Sequence, residues 1–388
     1  MSRLSSRLVF PAAILLVAIN LRPTLASIGP LLDLIQRDTG LNDVGAGLLT
    51  TLPVALMGVC LLGTSWLKAV LGERAGIATG TALILLTCLW RWGWPGASQL
   101  IVTSILGGVG IAIVQALMPG VIRHRAGART ASLMGLYSTG VMGGALISST
   151  ASPWIAQDWG WPAALGVWAL PALAGLAAWS AATSASDNLG SMAKGRPVYR
   201  ASRTWLLLAF FGLGTGAYTL VLAWLPPFYT QFGWSARAAG GLLGALTLAE
   251  VIAGIAVSLW IDRSPDRRPA LFAAIGALLA GLLCLCLAPL PLAWPAALLA
   301  GLGIGALFPL SLIVAMDHGE NAADAGMIVG FVQGGGYVLA AMLPLVAGLL
   351  RQYLSNLALA WWLMAVLCVV LVLIAVRFRP GDRLSLPS

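Results

Sequence analysis

Charge is what this chain has least of. Only 9% of its 388 residues are Asp, Glu, Lys or Arg, against about 25% in an ordinary soluble protein. Hydrophobic residues make up 59%, and the mean hydropathy is +0.92. That excludes a soluble globular chain and leaves a polytopic membrane protein. Histidine is scarce too: His124 and His318 are the two present, both at ends of apolar runs. An embedded enzyme would need a clustered metal or acid–base set within its spans, so an enzyme is not expected. The five cysteines (Cys60, Cys88, Cys284, Cys286 and Cys368) fall inside apolar runs, as small buried hydrophobes do. Cys284-x-Cys286 has the wrong spacing and too few partners for zinc, so no metal and no cofactor is expected. No loop is long enough for the soluble output domain of a sensor, which leaves a membrane-embedded sensor as a remote alternative. Gly334-Gly335-Gly336 sits in an apolar run rather than in a phosphate loop. The net charge of +9 lacks an aromatic-interleaved basic stripe, so nucleic acid is not an expected partner. No small-residue cleavage site follows a short apolar core, so no removed signal peptide is expected.

What is present is apolar length. Runs long enough to span lie near 8–29, 44–66, 75–94, 98–122, 130–154, 161–182, 204–229, 238–261, 270–290, 293–316, 325–350 and 356–377. All Lys and Arg except Arg22, Arg37, Arg91, Arg237 and Arg351 fall on the side that carries the termini. The positive-inside rule therefore predicts both termini in the cytoplasm and a multi-pass protein of the inner membrane. Residues 183–203 are the one long polar interruption, a natural linker between a bundle at 1–182 and another at 204–388. The halves resemble each other. Leu106-Gly107-Gly108-Val109-Gly110-Ile111 matches Leu299-Ala300-Gly301-Leu302-Gly303-Ile304 at an offset of 193, and Gly40 and Gly47 match Gly233 and Gly240 at the same offset. The expected fold is all-α, twelve transmembrane helices in two pseudo-symmetric six-helix bundles.

Two charges stand deep inside the runs. Arg22 lies fifteen residues after Arg7, or about 22 Å along a helix, past the middle of a hydrocarbon core about 30 Å thick. A guanidinium there costs at least about 2.5 kcal/mol, so Arg22 is expected to face the bundle interior. Pro23 frees the carbonyl of Ile19 and predicts a bend or opening. Asn20, Thr24 and Ser27 share a face about 200° from Arg22, placed to bond neighbouring helices. Arg22 reads either as the ligand of an anionic or strongly polar solute or as a structural arginine tied to carbonyls or a carboxylate. Glu250 is the one acidic residue deep in a span, a candidate proton-coupling site or a paired structural glutamate. Gln115, Gln333, Tyr137, Tyr218 and Tyr337 are polar handles on the fourth, eleventh, fifth, seventh and eleventh spans, able to hold a solute or a neighbouring helix. With Arg22 and Asn20, the candidates for substrate binding are Gln115, Tyr218, Gln333 and Tyr337. Arg91, between Trp90 and Trp92, is expected to snorkel at the interface and pack on the rings. Gly135, Gly140, Gly143 and Gly144 predict close helix approach.

Several motifs add a resemblance. Trp260-Ile261-Asp262-Arg263-Ser264-Pro265-Asp266-Arg267-Arg268 resembles the short charged loop of the major facilitator superfamily. Its first-half counterpart is degenerate, with Lys68 where the aspartate is expected. Asn20-x-Arg22-Pro23 with Ser27-x-Gly29-Pro30-Leu31, the fourth-span run from Gly107 to Pro119, Met134-Gly135-Leu136-Tyr137-Ser138, Ala223-Trp224-Leu225-Pro226 and Phe308-Pro309-Leu310 resemble the cyanate and nitroimidazole transporter branch (CynX/NimT type). The resemblance runs over nearly the whole chain and implies a single-polypeptide, monomeric secondary transporter. Its expected cargo is a small polar or anionic solute, moved by alternating access. The alternative it implies is a proton-coupled exporter of nitroimidazole-like heterocycles; the glycine pattern lacks the proline of the superfamily's antiporter signature and argues little for export. Substrate, protons and lipid are the partners expected. Loop 10–11 is acidic where loop 4–5 is basic, and at an offset of 194 Arg123 aligns with Asp317. Arg123, Asp317, Asp262 and Arg263 are candidate elements of an inner gate.

Overall fold

A backbone in hydrocarbon must satisfy its own N–H and C=O groups, so long apolar runs fold as helices. The computed structural model of the chain describes residues 3–183, 198–261, 264 and 266–384, and its regular structure there is helical throughout. Among the described residues, eleven helical stretches are long and apolar enough to cross a bilayer. One of them, Ser132–Ala182, has 51 residues, about 76 Å at 1.5 Å per residue, more than twice a hydrocarbon core of about 30 Å. It turns at Gly160, whose φ of 82° interrupts Thr130–Gly166, and so supplies the fifth and sixth crossings. Twelve crossings result, and an even number returns the chain to the side on which it began. The described part of the 183–203 interruption ends at Thr183 and resumes at Val198; the rest lies outside the described residues.

The first span is a broken helix. Arg3–Ile19 gives way to a turn over residues 20–22, then to Pro23–Ala26 and Ile28–Thr39. Pro23 has no N–H for the Ile19 carbonyl, and the turn tightens to bonds from Asn20 N to Val17 O and from Leu21 N to Ala18 O. Gly144 of the fifth span covers the freed carbonyl; a Cβ there would collide with it. Of the four glycines read as close-approach positions, Gly140 and Gly144 pack on the first span, while Gly135 and Gly143 face open space.

The internal repeat has a structural counterpart. Gly40 and Gly233 both adopt left-handed φ, 69° and 86°, in the turns after the first and seventh spans. Gly47 and Gly240 each admit a contact between bundles. A Cβ on Gly47 would stand 2.7 Å from Pro344 O in the eleventh span, and one on Gly240 would stand 2.5 Å from Ser149 O in the fifth. Second-on-eleventh and eighth-on-fifth are equivalent pairings under the repeat. The first and seventh spans complete the seam, with Gly29 against Leu222 O.

The seam is latched at the end opposite the termini. Arg351 reaches Asp33 at 3.6 Å and Asp43 at 3.5 Å, and its guanidinium lies 5.5 Å from the Trp224 ring centre. Gln352 accepts from Val44 N at 3.1 Å, Thr230 donates to Asp33, and Arg237 lies 3.7 Å over Trp154. Except for Arg351 on Trp224, which lies within the second bundle, each of these contacts joins one bundle to the other. At the end that carries the termini, by contrast, Glu73 is held by Lys68 and His124, and Asp317 by Arg267, each within its own bundle.

Candidate functional site

The break in the first span delivers Arg22 to the seam. The residue is 4% exposed, and its guanidinium stands 5.4 Å from the Tyr218 ring centre. Tyr337 lies beside Arg22 and Gln115, and Tyr137 is within electrostatic range of the guanidinium. Glu250 completes the group from the eighth span, in electrostatic range of Arg22 and Tyr218. Its place is set by Gly305 of the tenth span, which lies so close to the Glu250 backbone that a Cβ would collide with it. Three residues come from each bundle: Arg22, Gln115 and Tyr137 from the first, Tyr218, Glu250 and Tyr337 from the second.

This group is under-satisfied. Arg22 Nε, Gln115 Oε1, the hydroxyls of Tyr137 and Tyr218, and both oxygens of Glu250 are buried without a hydrogen-bond partner. Native interiors leave few buried polar atoms unpaired, because each one costs about 1–3 kcal/mol. Such atoms here come from five spans, with one cation and one carboxylate among them, a setting whose open valences a polar guest can fill. The guanidinium offers planar donors to an anion, and the aromatic rings offer faces and hydroxyls to a flat solute.

Other candidates lie elsewhere. Asn20 is turned away from Arg22 and packs on the sixth span: its Nδ2 donates to Leu16 O at 2.6 Å and to Pro171 O at 2.9 Å. The Nδ2 is thus a helix–helix tie, while Oδ1 of the same amide is buried without a partner. Ser27 donates to Pro23 O within its own segment instead of to a neighbouring helix. Gln333 is half-buried, one helical turn from Tyr337 towards the end with the termini. Arg123 is exposed and does not meet Asp317, whose carboxylate accepts from Arg267 at 3.0 Å. Asp262 and Arg263 lie outside the described residues. In the first-half loop, the acid that Lys68 lacked at its own position is supplied by Glu73, 2.7 Å away.

Arg91 departs furthest from expectation. It is not an interface residue: it is 1% exposed and makes three hydrogen bonds across three spans. Nη1 donates to Thr24 O at 2.8 Å, Nε to Thr103 Oγ1 at 3.1 Å, and Nη2 to Ser104 Oγ at 2.8 Å. A second buried guanidinium therefore holds the short segment Pro23–Ala26 that follows Arg22. Its partners are a carbonyl and two hydroxyls far away in sequence, which no local pattern announces. The far-side latch of Asp33, Asp43 and Arg351 was missed for the same reason.

Comparison with known proteins agrees with this architecture. The chain is 39% identical to the cyanate transport protein CynX of Escherichia coli K12 over 95% of its own length and 96% of that protein's. It is 32% identical to the 2-nitroimidazole transporter of the same organism, over 90% of each chain. Among solved structures, a D-xylose–proton symporter superposes with a TM-score of 0.79 at 14% identity, covering 98% of this chain and 99% of that one. The inward-open form of the xylose transporter XylE from E. coli superposes with a TM-score of 0.77 at 13% identity, covering 96% of each. At such identities the superpositions establish the fold. Residues 14–341 match the model of the Major Facilitator Superfamily, and with twelve crossings in two facing bundles the chain belongs to that family of multi-pass membrane transporters.

Proposed function

We propose that the chain is a secondary active transporter of a small anion of the cyanate kind, working by alternating access around Arg22. The observation that carries this reading is the buried guanidinium on a broken helix, ringed by polar atoms without partners and faced by Glu250. The 39% identity to a cyanate transport protein over nearly the full chain supports the same class of cargo. Arg22 binds the anion, with Gln115, Tyr218 and Tyr337 around it and Gln333 one turn along the path; Glu250 carries the coupling proton. A monomer with bundles at 1–182 and 204–388, joined by a cytoplasmic linker at 183–203, rocks between two states. The distribution of Lys and Arg supports placing both termini in the cytoplasm and the chain in the inner membrane. In the alternate state, Arg123 and Asp317 exchange their present surroundings for each other and, with Asp262 and Arg263, close the inner side.

A second reading has its own support. The three tyrosine rings around Arg22 suit a flat neutral heterocycle, and a 2-nitroimidazole transporter is 32% identical. Uptake into proteoliposomes of cyanate, small carboxylates and nitroimidazoles, with and without a pH gradient, separates the two. Saturable cyanate uptake that fails in Arg22→Ala supports the anion reading. Undiminished uptake in that variant removes Arg22 from the site.

A further inference from the structure

Beyond the twelfth span, Ala358–Ala375, the chain folds back on itself. Arg379-Pro380-Gly381-Asp382 is a turn in which Pro380 presets φ, Gly381 takes a φ of 83°, and Asp382 N donates to Arg379 O at 3.3 Å. The turn directs Asp382 onto Arg203 at the start of the seventh span. Arg203 also donates to Arg377 O at 2.6 Å, and Leu384 N donates to His318 O at 2.9 Å. These three ties pin the tail across the end of the tenth span and border an open cavity of about 250 Å³.

His318 and Phe378 line this cavity together with Arg267, Arg379 and Arg383. The imidazole is 3% exposed, and its Nδ1 donates to Val314 O at 2.7 Å, which leaves Nε2 as the free ring nitrogen. Nε2 is buried and has no partner. The two carboxylates in the lining are already engaged, Asp317 by Arg267 and Asp382 by Arg203. Arg379 and Arg383 are exposed. The cavity is therefore lined by exposed cations without a carboxylate partner and by a histidine whose second ring nitrogen has none either.

We propose that this cavity binds a phosphate-class oxyanion, held by Arg379 and Arg383 at the mouth and by His318 Nε2 within. It sits just beyond the last span, where a lipid headgroup and a free phosphate both have access. A protonated phosphate oxygen can donate to neutral Nε2. A lipid phosphodiester has no such proton and needs the imidazolium, whose Nε2–H donates. The charged groups that face His318 are Arg203, Arg267, Arg379, Arg383, Asp317 and Asp382. Burial holds the imidazole below its ordinary pKa. A bound anion favours the charged ring, so affinity rises as pH falls.

The test uses the full-length chain in neutral detergent and reads the thermal midpoint against inorganic phosphate or phosphatidylglycerol. Chloride at matched ionic strength and phosphatidylcholine are the controls. A saturable rise with one anion and not with its control supports the site and identifies the source. Half-saturation is expected to shift about tenfold to lower concentration between pH 8 and pH 6, and to lose that shift in His318→Asn. The exposed pair Arg379→Gln and Arg383→Gln is expected to weaken binding at least about tenfold without disturbing the fold. No saturable rise with either anion, or an unchanged titration in the double variant, overturns the proposal. Neither readout depends on which solute is transported.

Discussion

Arg22 and Glu250 were legible at the scale of single residues because a charge in a long apolar run is conspicuous whatever surrounds it. Arg91 is as deeply buried, but its tryptophan neighbours point to an interface; the Thr24 carbonyl and the Thr103 and Ser104 hydroxyls that hold it come together only in three dimensions. A charge-assisted hydrogen bond is worth about 1.5–3 kcal/mol, so Arg22→Ala is expected to raise the KM for an anionic substrate at least about tenfold in transport assays. Glu250→Gln should abolish accumulation driven by a pH gradient while exchange of substrate across the membrane continues. Undiminished accumulation in that variant moves the proton site elsewhere. Arg91→Met takes the side-chain donor from the Thr24 carbonyl and the Ser104 hydroxyl, each costing about 1–3 kcal/mol when buried unpaired, while the Thr103 hydroxyl keeps its bond to Leu100 O. A lower thermal midpoint together with weaker substrate binding is expected, since the same side chain holds the segment next to Arg22. Arg91→Lys is expected to recover part of this, a point charge being unable to span all three acceptors.

Helix count and order were readable at the scale of elements because hydrocarbon leaves the backbone no alternative to helix. The packing of those helices was half readable. Small residues in the fifth span announced a close contact, yet Gly140 and Gly144 use it and Gly135 and Gly143 do not, because which residue faces the first span depends on helix rotation. Gly144→Val is therefore expected to force the fifth span off the Ile19 carbonyl, an overpacking cost of about 1–3 kcal/mol. Gly143→Ala, one position away, should be silent in the same thermal assay. Gly305→Val tests the wall behind Glu250 and should impair proton-coupled accumulation more than expression.

The two-bundle plan was legible at the scale of the whole molecule from a repeat with a constant offset, and Gly40 with Gly233 and Gly47 with Gly240 show why it persisted: equivalent turns and equivalent cross-bundle contacts need the same residue type. The state of the molecule was not legible, because Asp33, Asp43 and Arg351 that latch it lie at the span ends and in the intervening turn, where no periodicity marks them. Partly exposed ion pairs are worth about 0.2–1 kcal/mol each, and Arg351 makes two, so Arg351→Gln is expected to open the far side by roughly twofold to thirtyfold. Alkylation of a Thr24→Cys variant, in a background free of native cysteines, by an impermeant thiol reagent added on that side measures it. The opposition of one cation from the first bundle to one carboxylate from the second also has an electrical consequence. With Glu250 ionised, the empty pair carries no net charge. An anion that enters with one proton leaves it with none, so its transport is indifferent to membrane voltage. A neutral heterocycle that moves with one proton carries a full charge, worth about 2.3 kcal/mol per 100 mV. Clamping the potential across proteoliposomes thus distinguishes the two cargoes by whether the rate responds.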